Sequence, residues 1–97
     1  MISIKQFKVD DIDLCYELDS NSISLWSKKQ WVHEFKKDGT KIIALMFANL
    51  VIGICVFQVV LDEVQINYFA VDKKFRKRGF GSYLMRYLIT RFEKLNL

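Results

Sequence analysis

The apolar positions of this chain follow two rhythms, a helical one near the start and end and a strand-like one between them. Residues 2–7 (Ile-Ser-Ile-Lys-Gln-Phe) alternate apolar and polar side chains over a short span and predict a first strand. Asp10 or Asp11 then caps a helix whose Ile12, Cys15, Tyr16 and Leu18 share one face. Residues 19–24 are rich in Asp, Ser and Asn, side chains that hydrogen-bond their own backbone, and read as a loop. Ser27 followed three residues later by Gln30 resembles a capping box opening a second helix through about Lys36. Trp26 before that cap and Trp31 inside the helix are placed for a staple-like contact, and Asp38-Gly39 ends the helix.

The rhythm then changes. Residues 41–48 form a β-suitable apolar run, Asn49-Leu50 a tight turn, and residues 51–61 a longer run rich in Val and Ile. Gly53 interrupts this second strand and marks a bulge or a close backbone approach. After a turn at Asp62-Glu63, residues 64–71 predict a third strand of the meander, with Val64, Ile66 and Tyr68 on one face and Gln65, Asn67 and Phe69 on the other. A last helix begins at about Gly79 or Gly81 and runs to Lys94. Its Phe80, Leu84, Leu88 and Phe92 recur every four residues, with Tyr83, Tyr87 and Leu95 widening the stripe. The predicted order is β-α-α-β-β-β-α: one α+β domain over residues 1–97, in three layers, with helices flanking a mixed, mainly antiparallel sheet.

Composition narrows the function classes. With 52% apolar and 14% aromatic residues the chain is a folding sequence, not a disordered one. The net charge is +4, yet five basic side chains fall between Lys73 and Arg78, so the basicity is local and points to one anionic ligand. Cys15 and Cys55 stand in apolar surroundings without metal-ligand spacing, and read as buried free thiols of a reducing compartment; no metal is expected. No signal peptide is legible, and the longest apolar run, residues 42–48, is too short to span a bilayer. A cytoplasmic protein without a membrane partner is the expectation.

The candidate chemistry lies at the junction of the third meander strand and the last helix. Val71-Asp72 ends the strand; Lys73, Lys74, Phe75, Arg76, Lys77, Arg78, Gly79, Phe80, Gly81 and Ser82 lead into the helix. The first N–H groups of a helix lack intrahelical partners and sit at the positive end of its dipole, where an anion is favoured. Glycines let the backbone approach that anion closely. The bland reading of the same stretch is a helix entry with a solvated basic face.

Arg76-Lys77-Arg78-Gly79-Phe80-Gly81 matches the Arg/Gln-x-x-Gly-x-Gly/Ala acetyl-CoA motif, preceded by Phe69-Ala70-Val71-Asp72 at the strand end, and on these residues the chain resembles the GNAT superfamily of N-acetyltransferases. Within it the likeness is greatest to the bacterial ribosomal-protein-alanine N-acetyltransferases, carried also by residues 57–63, Trp26-Ser27 and Phe92-Glu93-Lys94. The resemblance implies acetyl-CoA as cosubstrate and a protein N-terminus, such as that of a ribosomal protein, as acceptor. It implies that backbone groups of Phe69, Ala70 and Val71 pair with the pantetheine arm. The amides from Lys77 to Ser82 would cradle the pyrophosphate, and Arg76 with its neighbours would add charge.

The likeness spans about the first two-thirds of the family's domain, so the chain reads as C-terminally truncated. In the relatives it resembles, a Glu base, a Tyr acid and a CoA-binding Asn follow the last helix, which here would place them beyond Leu97 and leave no catalytic residue assignable. A sheet edge and one side of the last helix would then be uncovered, which invites a homodimer. Some superfamily members carry a Glu base where this chain has Gln65, which cannot accept a proton. Asp62 and Glu63 read as solvated turn residues, Tyr68 and Tyr83 as core, His33 as a helix-face residue, and Trp26 and Trp31 as core before acceptor contacts. Two other classes stand beside the enzyme: a non-catalytic CoA-binding module, and nucleic-acid binding by the basic turn. The last lacks any RNP, zinc or helix-turn-helix pattern, and no direct nucleic-acid partner is expected.

Overall fold

The meander and the N-terminal segment form one four-stranded sheet in a computed structural model that describes residues 1–97. Its strands are β1 (Ile2–Gln6), β2 (Thr40–Phe47), β3 (Leu50–Val60) and β4 (Glu63–Val71), in the spatial order β1-β2-β3-β4. All three pairings are antiparallel. Helices α1 (Ile12–Ser20) and α2 (Lys28–Lys36) cover one face, and α3 (Phe80–Lys94) covers the other. Single 3-10 turns, Val9–Asp11 and Lys73–Phe75, precede α1 and follow β4.

The sheet separates two apolar cores. Trp31, Ile54, Val56 and Tyr68 pack with α1 and α2, while Leu45, Cys55, Leu84 and Leu88 pack on the α3 side. Leu84 and Leu88 are wholly buried, and each contributes on the order of 2 kcal/mol from lost water contact. The α3 stripe is narrower than its sequence suggests. Leu84, Leu88 and Phe92 are buried, whereas Tyr83, Tyr87 and Leu95 are exposed, because α3 packs on the sheet, mainly β3 and β4, with one face. On α1 the buried set is Cys15, Leu18 and Asp19, and Tyr16 turns outward instead of joining that face.

Capping is met in altered forms. Asp11 accepts from the Lys8 amide at 2.9 Å within the 3-10 turn and makes no side-chain cap on α1. Ser27 Oγ accepts from Gln30 N at 3.1 Å, but the Gln30 side chain turns to Glu34 Oε2 at 2.9 Å, so only half of the capping box forms. Trp26 and Trp31 do meet, edge to face, with ring centroids 4.8 Å apart.

The turns and bulges move several expected positions by one residue. The hairpins close at Ala48-Asn49 and Leu61-Asp62, since Phe47 pairs with Leu50 and Val60 with Glu63. Ala48 and Leu61 take positive φ, a conformation a β-suitable sequence does not advertise. Ile52 is an extra residue on β3, because Leu45 pairs with Gly53 and Met46 with Val51. Asn67 is an extra residue on β4, because Val56 pairs with Tyr68 and Phe57 with Ile66. This second bulge overturns the expected alternation: Val64 packs on the α3 side and Tyr68 on the α1/α2 side.

Candidate functional site

Past its bulge, β4 presents a free edge. The Asp72 amide donates to Ile52 O at 2.9 Å, and the register pairs Val71 with Gly53, Ala70 with Ile54 and Phe69 with Cys55. Ladder bonding alternates along an antiparallel pair, so Ala70 directs its N–H and C=O toward β3, while Phe69 and Val71 direct theirs away from it. Arg76 Nε donates to Val71 O at 3.1 Å, in keeping with that outward direction. The sequence groups Phe69, Ala70 and Val71 together; the ladder leaves the Phe69 groups and the Val71 N–H available at the edge, with the Val71 carbonyl already accepting from Arg76.

The turn that follows is built to leave its amides unpaired. Asp72, buried, caps the 3-10 turn by accepting from Lys74 N at 2.8 Å. Lys77 then adopts φ +63 and Gly79 φ +83, and Gly79 forms the N-cap of α3. These two left-handed residues turn the chain so that Lys77, Arg78, Gly79, Phe80, Gly81 and Ser82 contribute six consecutive amides with no acceptor inside the protein. The first intrahelical bond of α3 is Tyr83 N to Gly79 O, 2.9 Å. Lys73, Lys74, Lys77 and Arg78 make no ion pair, and Arg78 lies over the Phe75 ring at 5.8 Å.

A concavity of about 270 Å³ opens here, bounded by Val71, Phe75 and Phe80 and by Arg76, Lys77, Gly79, Gly81 and Ser82. A Cβ on Gly79 would meet nothing within 4 Å, so glycine is required there for its φ. A Cβ on Gly81 would reach Val71 and Phe69 only at ordinary contact distances of 3.7 and 3.8 Å. A wider groove of about 710 Å³ runs along the outer face of α3 past Tyr83 and Tyr87. It has no converging backbone donors and is the weaker candidate.

The remaining candidates do not gather at the β4 edge. Glu63 stands six residues before Phe69, roughly 20 Å away at the rise of a strand, with Asp62 beyond it. Gln65 is exposed and lies before the bulge, and His33 is exposed on α2. Tyr83 is exposed, not core. Tyr68 is buried, and its hydroxyl donates to Asp19 Oδ1 at 2.9 Å. Burial, reinforced by that carboxylate, pushes the hydroxyl above the ordinary phenol range, which makes it a poor acid. Asp19 itself is missed by pattern reasoning, since it stands in a run that reads as loop; the structure places it, buried, in the last turn of α1. Trp31 is fully buried, and Trp26 packs against both Trp31 and Tyr68.

The model of the Acetyltransferase (GNAT) family matches residues 6–97. The chain belongs to this family. A relative from Bacillus subtilis (strain 168), provisionally named a ribosomal protein bS18-alanine N-acetyltransferase, is 26% identical over 86 residues; the match covers 87% of this chain and 57% of the relative. The crystal structure of the ribosomal-protein-S18-alanine N-acetyltransferase of Escherichia coli superposes with a TM-score of 0.88 at 25% identity. That superposition covers 97% of this chain and 61% of the E. coli one. The PaiA N-acetyltransferase of Thermoplasma acidophilum, solved in complex with coenzyme A, shares the fold at a TM-score of 0.79 and 11% identity, covering 97% of this chain and 73% of that one. The chain thus spans about three-fifths of the length of the first two relatives. Within the GNAT fold, the free β4 edge and the unpaired amides occupy the strand-to-helix junction that carries the Arg76–Gly81 motif.

Proposed function

We propose that this GNAT chain binds acetyl-CoA and serves acetyl transfer to a protein N-terminal amine of the ribosomal-protein-alanine type. The observation that carries the reading is the run of six unpaired amides from Lys77 to Ser82, in a turn whose sequence carries five basic residues and which follows the free edge of β4. Unpaired donors of this kind in a basic turn fit a diphosphate, and charge-assisted bonds contribute roughly 1.5–3 kcal/mol each when well formed. The outward N–H and C=O of Phe69 and the N–H of Val71 fit the amides of a pantetheine arm, taken up as an added strand. The relatives' names support the acceptor class.

Acetyl-CoA, when bound, supplies an acyl thioester whose carbon takes the amine and whose C–S bond breaks, one proton leaving the amine and one joining the thiolate. This chain's own residues bind and orient. The α3 N-terminus and its basic turn hold the anionic end, Arg76 braces the Val71 carbonyl, and the β4 edge fixes the direction of the arm. A second reading, a CoA-binding module without catalysis, is favoured by one observation: Asp72, the carboxylate nearest the edge in sequence, is buried and spent on the Lys74 amide.

Calorimetric titration with acetyl-CoA, followed by mass spectrometry of an alanine-terminated peptide incubated with both, tests the two readings. Saturable binding with a 42 Da gain on the peptide amine supports the enzyme. Binding without transfer supports the module. No binding removes both.

A further inference from the structure

The buried carboxyl of Asp19, in the last turn of α1, meets no cation. Its three partners are neutral donors from two distant parts of the chain. Oδ1 accepts from Leu25 N at 3.0 Å and from Tyr68 OH at 2.9 Å; Oδ2 accepts from Trp26 N at 2.8 Å. The Asp19 carbonyl takes the amides of Ser22 and Ser24, so one residue organises nearly the whole connection between α1 and α2. Trp26, held in this way, closes a triad with Trp31 and Tyr68, every ring pair lying 4.8 or 4.9 Å apart.

The other end of this arrangement is the cofactor strand. Tyr68 follows the Asn67 bulge and directly precedes Phe69, whose backbone faces the free edge. Two residues beyond Asp19, the Asn21 carbonyl accepts from Lys73 N at 3.1 Å, at the start of the basic turn. The end of α1 therefore grips β4 at residue 68 and the turn at residue 73, on either side of the segment that carries the edge groups. Between these two grips the strand is held on one side by its β3 ladder, while its other side has no neighbouring strand.

We infer that Asp19 is a positioning residue: through Tyr68 it couples the order of the 21–27 connection to the geometry of the 69–71 edge, so that acetyl-CoA binding and ordering of that connection favour one another. This rests on the acetyl-CoA reading above. Coupling of this kind is reciprocal, and for two linked sites is commonly five-fold or more. Asp19 lies on the α1/α2 side, where Tyr68 points, and touches none of the turn amides.

The test follows amide hydrogen exchange at Leu25 and Trp26, together with acetyl-CoA affinity by calorimetry, in the native chain, Asp19→Asn and Tyr68→Phe. Thermal melts confirm that each variant is folded. Asn keeps the shape but can accept at only one of its two side-chain positions. Saturating acetyl-CoA is expected to slow exchange at both amides in the native chain. Asp19→Asn should speed exchange at one of them, weaken acetyl-CoA about tenfold and abolish the ligand-dependent protection. Tyr68→Phe should leave both amides protected without ligand but make that protection indifferent to acetyl-CoA. A purely structural Asp19 would lose stability without this change in ligand response. If the native chain binds acetyl-CoA and both variants bind it equally well, with protection still responding, the coupling is overturned and the acetyl-CoA reading stands. If the native chain shows no binding, the acetyl-CoA reading falls and the coupling with it.

Discussion

Gly53 on β3 lies so close to Ala70 on β4 that a Cβ at position 53 would come within 3.2 Å of the Ala70 carbonyl oxygen. The same Cβ would stand 3.5 Å from Val71 and 3.7 Å from Leu84, so it has no open side. Gly53→Ala must push β4 outward at the residues that precede the basic turn. The expected cost is about 1 kcal/mol, overpacking offset in part by the lower chain entropy of alanine. Urea denaturation reads the stability, and an acetyl-CoA affinity that falls further than the stability change would report the displaced edge.

The two turn glycines should respond in opposite ways. Gly79 has φ +83, and a side chain there is strained by about 1 kcal/mol or more, so Gly79→Ala should lower stability by that amount. Gly79→Glu adds a carboxylate among the six amides and should abolish acetyl-CoA binding while the fold survives. Gly81 lies inside α3, where Ala is favoured by about 1 kcal/mol, and Gly81→Ala should be neutral or stabilising. Equal stability changes at positions 79 and 81 would overturn the left-handed requirement at Gly79, and unchanged affinity in Gly79→Glu would remove the turn from the binding site.

Glu34 is buried on α2, with Oε2 2.7 Å from Lys37 Nζ and 2.9 Å from Gln30 Nε2, while Oε1 has no partner. Removing the cation leaves a buried charge, although Lys37 is partly open to solvent and water can compensate in part. Lys37→Ala is expected to cost about 1–2 kcal/mol, and the double variant Lys37→Ala/Glu34→Gln should recover most of it. A chemical-denaturation double-mutant cycle checks both statements.

Alkaline pH should unfold this protein through its thiols. Cys15 is pushed up from 9.0 to about 12 by burial and, secondarily, by the Asp11 charge, and Cys55 from 9.0 to about 12 by burial. The Tyr68 hydroxyl is raised in the same sense. A folded chain that keeps protons which the unfolded chain has released loses stability as pH rises. The thiol contribution is therefore whole below about pH 9 and is lost toward pH 12, by up to roughly 1.4 kcal/mol per pH unit for each group. Urea midpoints should be level near neutrality and fall above about pH 9. The slope should be shallower in Cys15→Ala/Cys55→Ala; an identical slope would assign the loss to other groups.

The elements were legible because local pattern and tertiary role agree in most of the chain. The four-residue recurrence of Leu84, Leu88 and Phe92 is the buried face of α3, and the Val/Ile runs are the meander. Sequence patterns failed where one residue shifts everything after it. Asn67 has no side-chain chemistry that marks an extra strand residue, yet its bulge reverses the face of Tyr68 relative to Val64. The basic turn was legible as a strand-to-helix junction, since its signal is local: charge, glycine spacing and a change of period; its left-handed Lys77 and its Asp72 cap were not. Asp19 was not, because its partners lie at positions 25, 26 and 68 and only folding brings them together.

The open side of β4 carries one further consequence. Hydrogen-bonding groups at a strand edge do not distinguish a pantetheine arm from another polypeptide strand, so on the reading proposed above the two would compete for the same positions. If the chain binds acetyl-CoA as proposed, ligand occupancy would act as a solubility control: a chain whose edge is filled cannot add a neighbour there. Light scattering at rising protein concentration, with and without acetyl-CoA, would show a sticky apo form and a quiet liganded one.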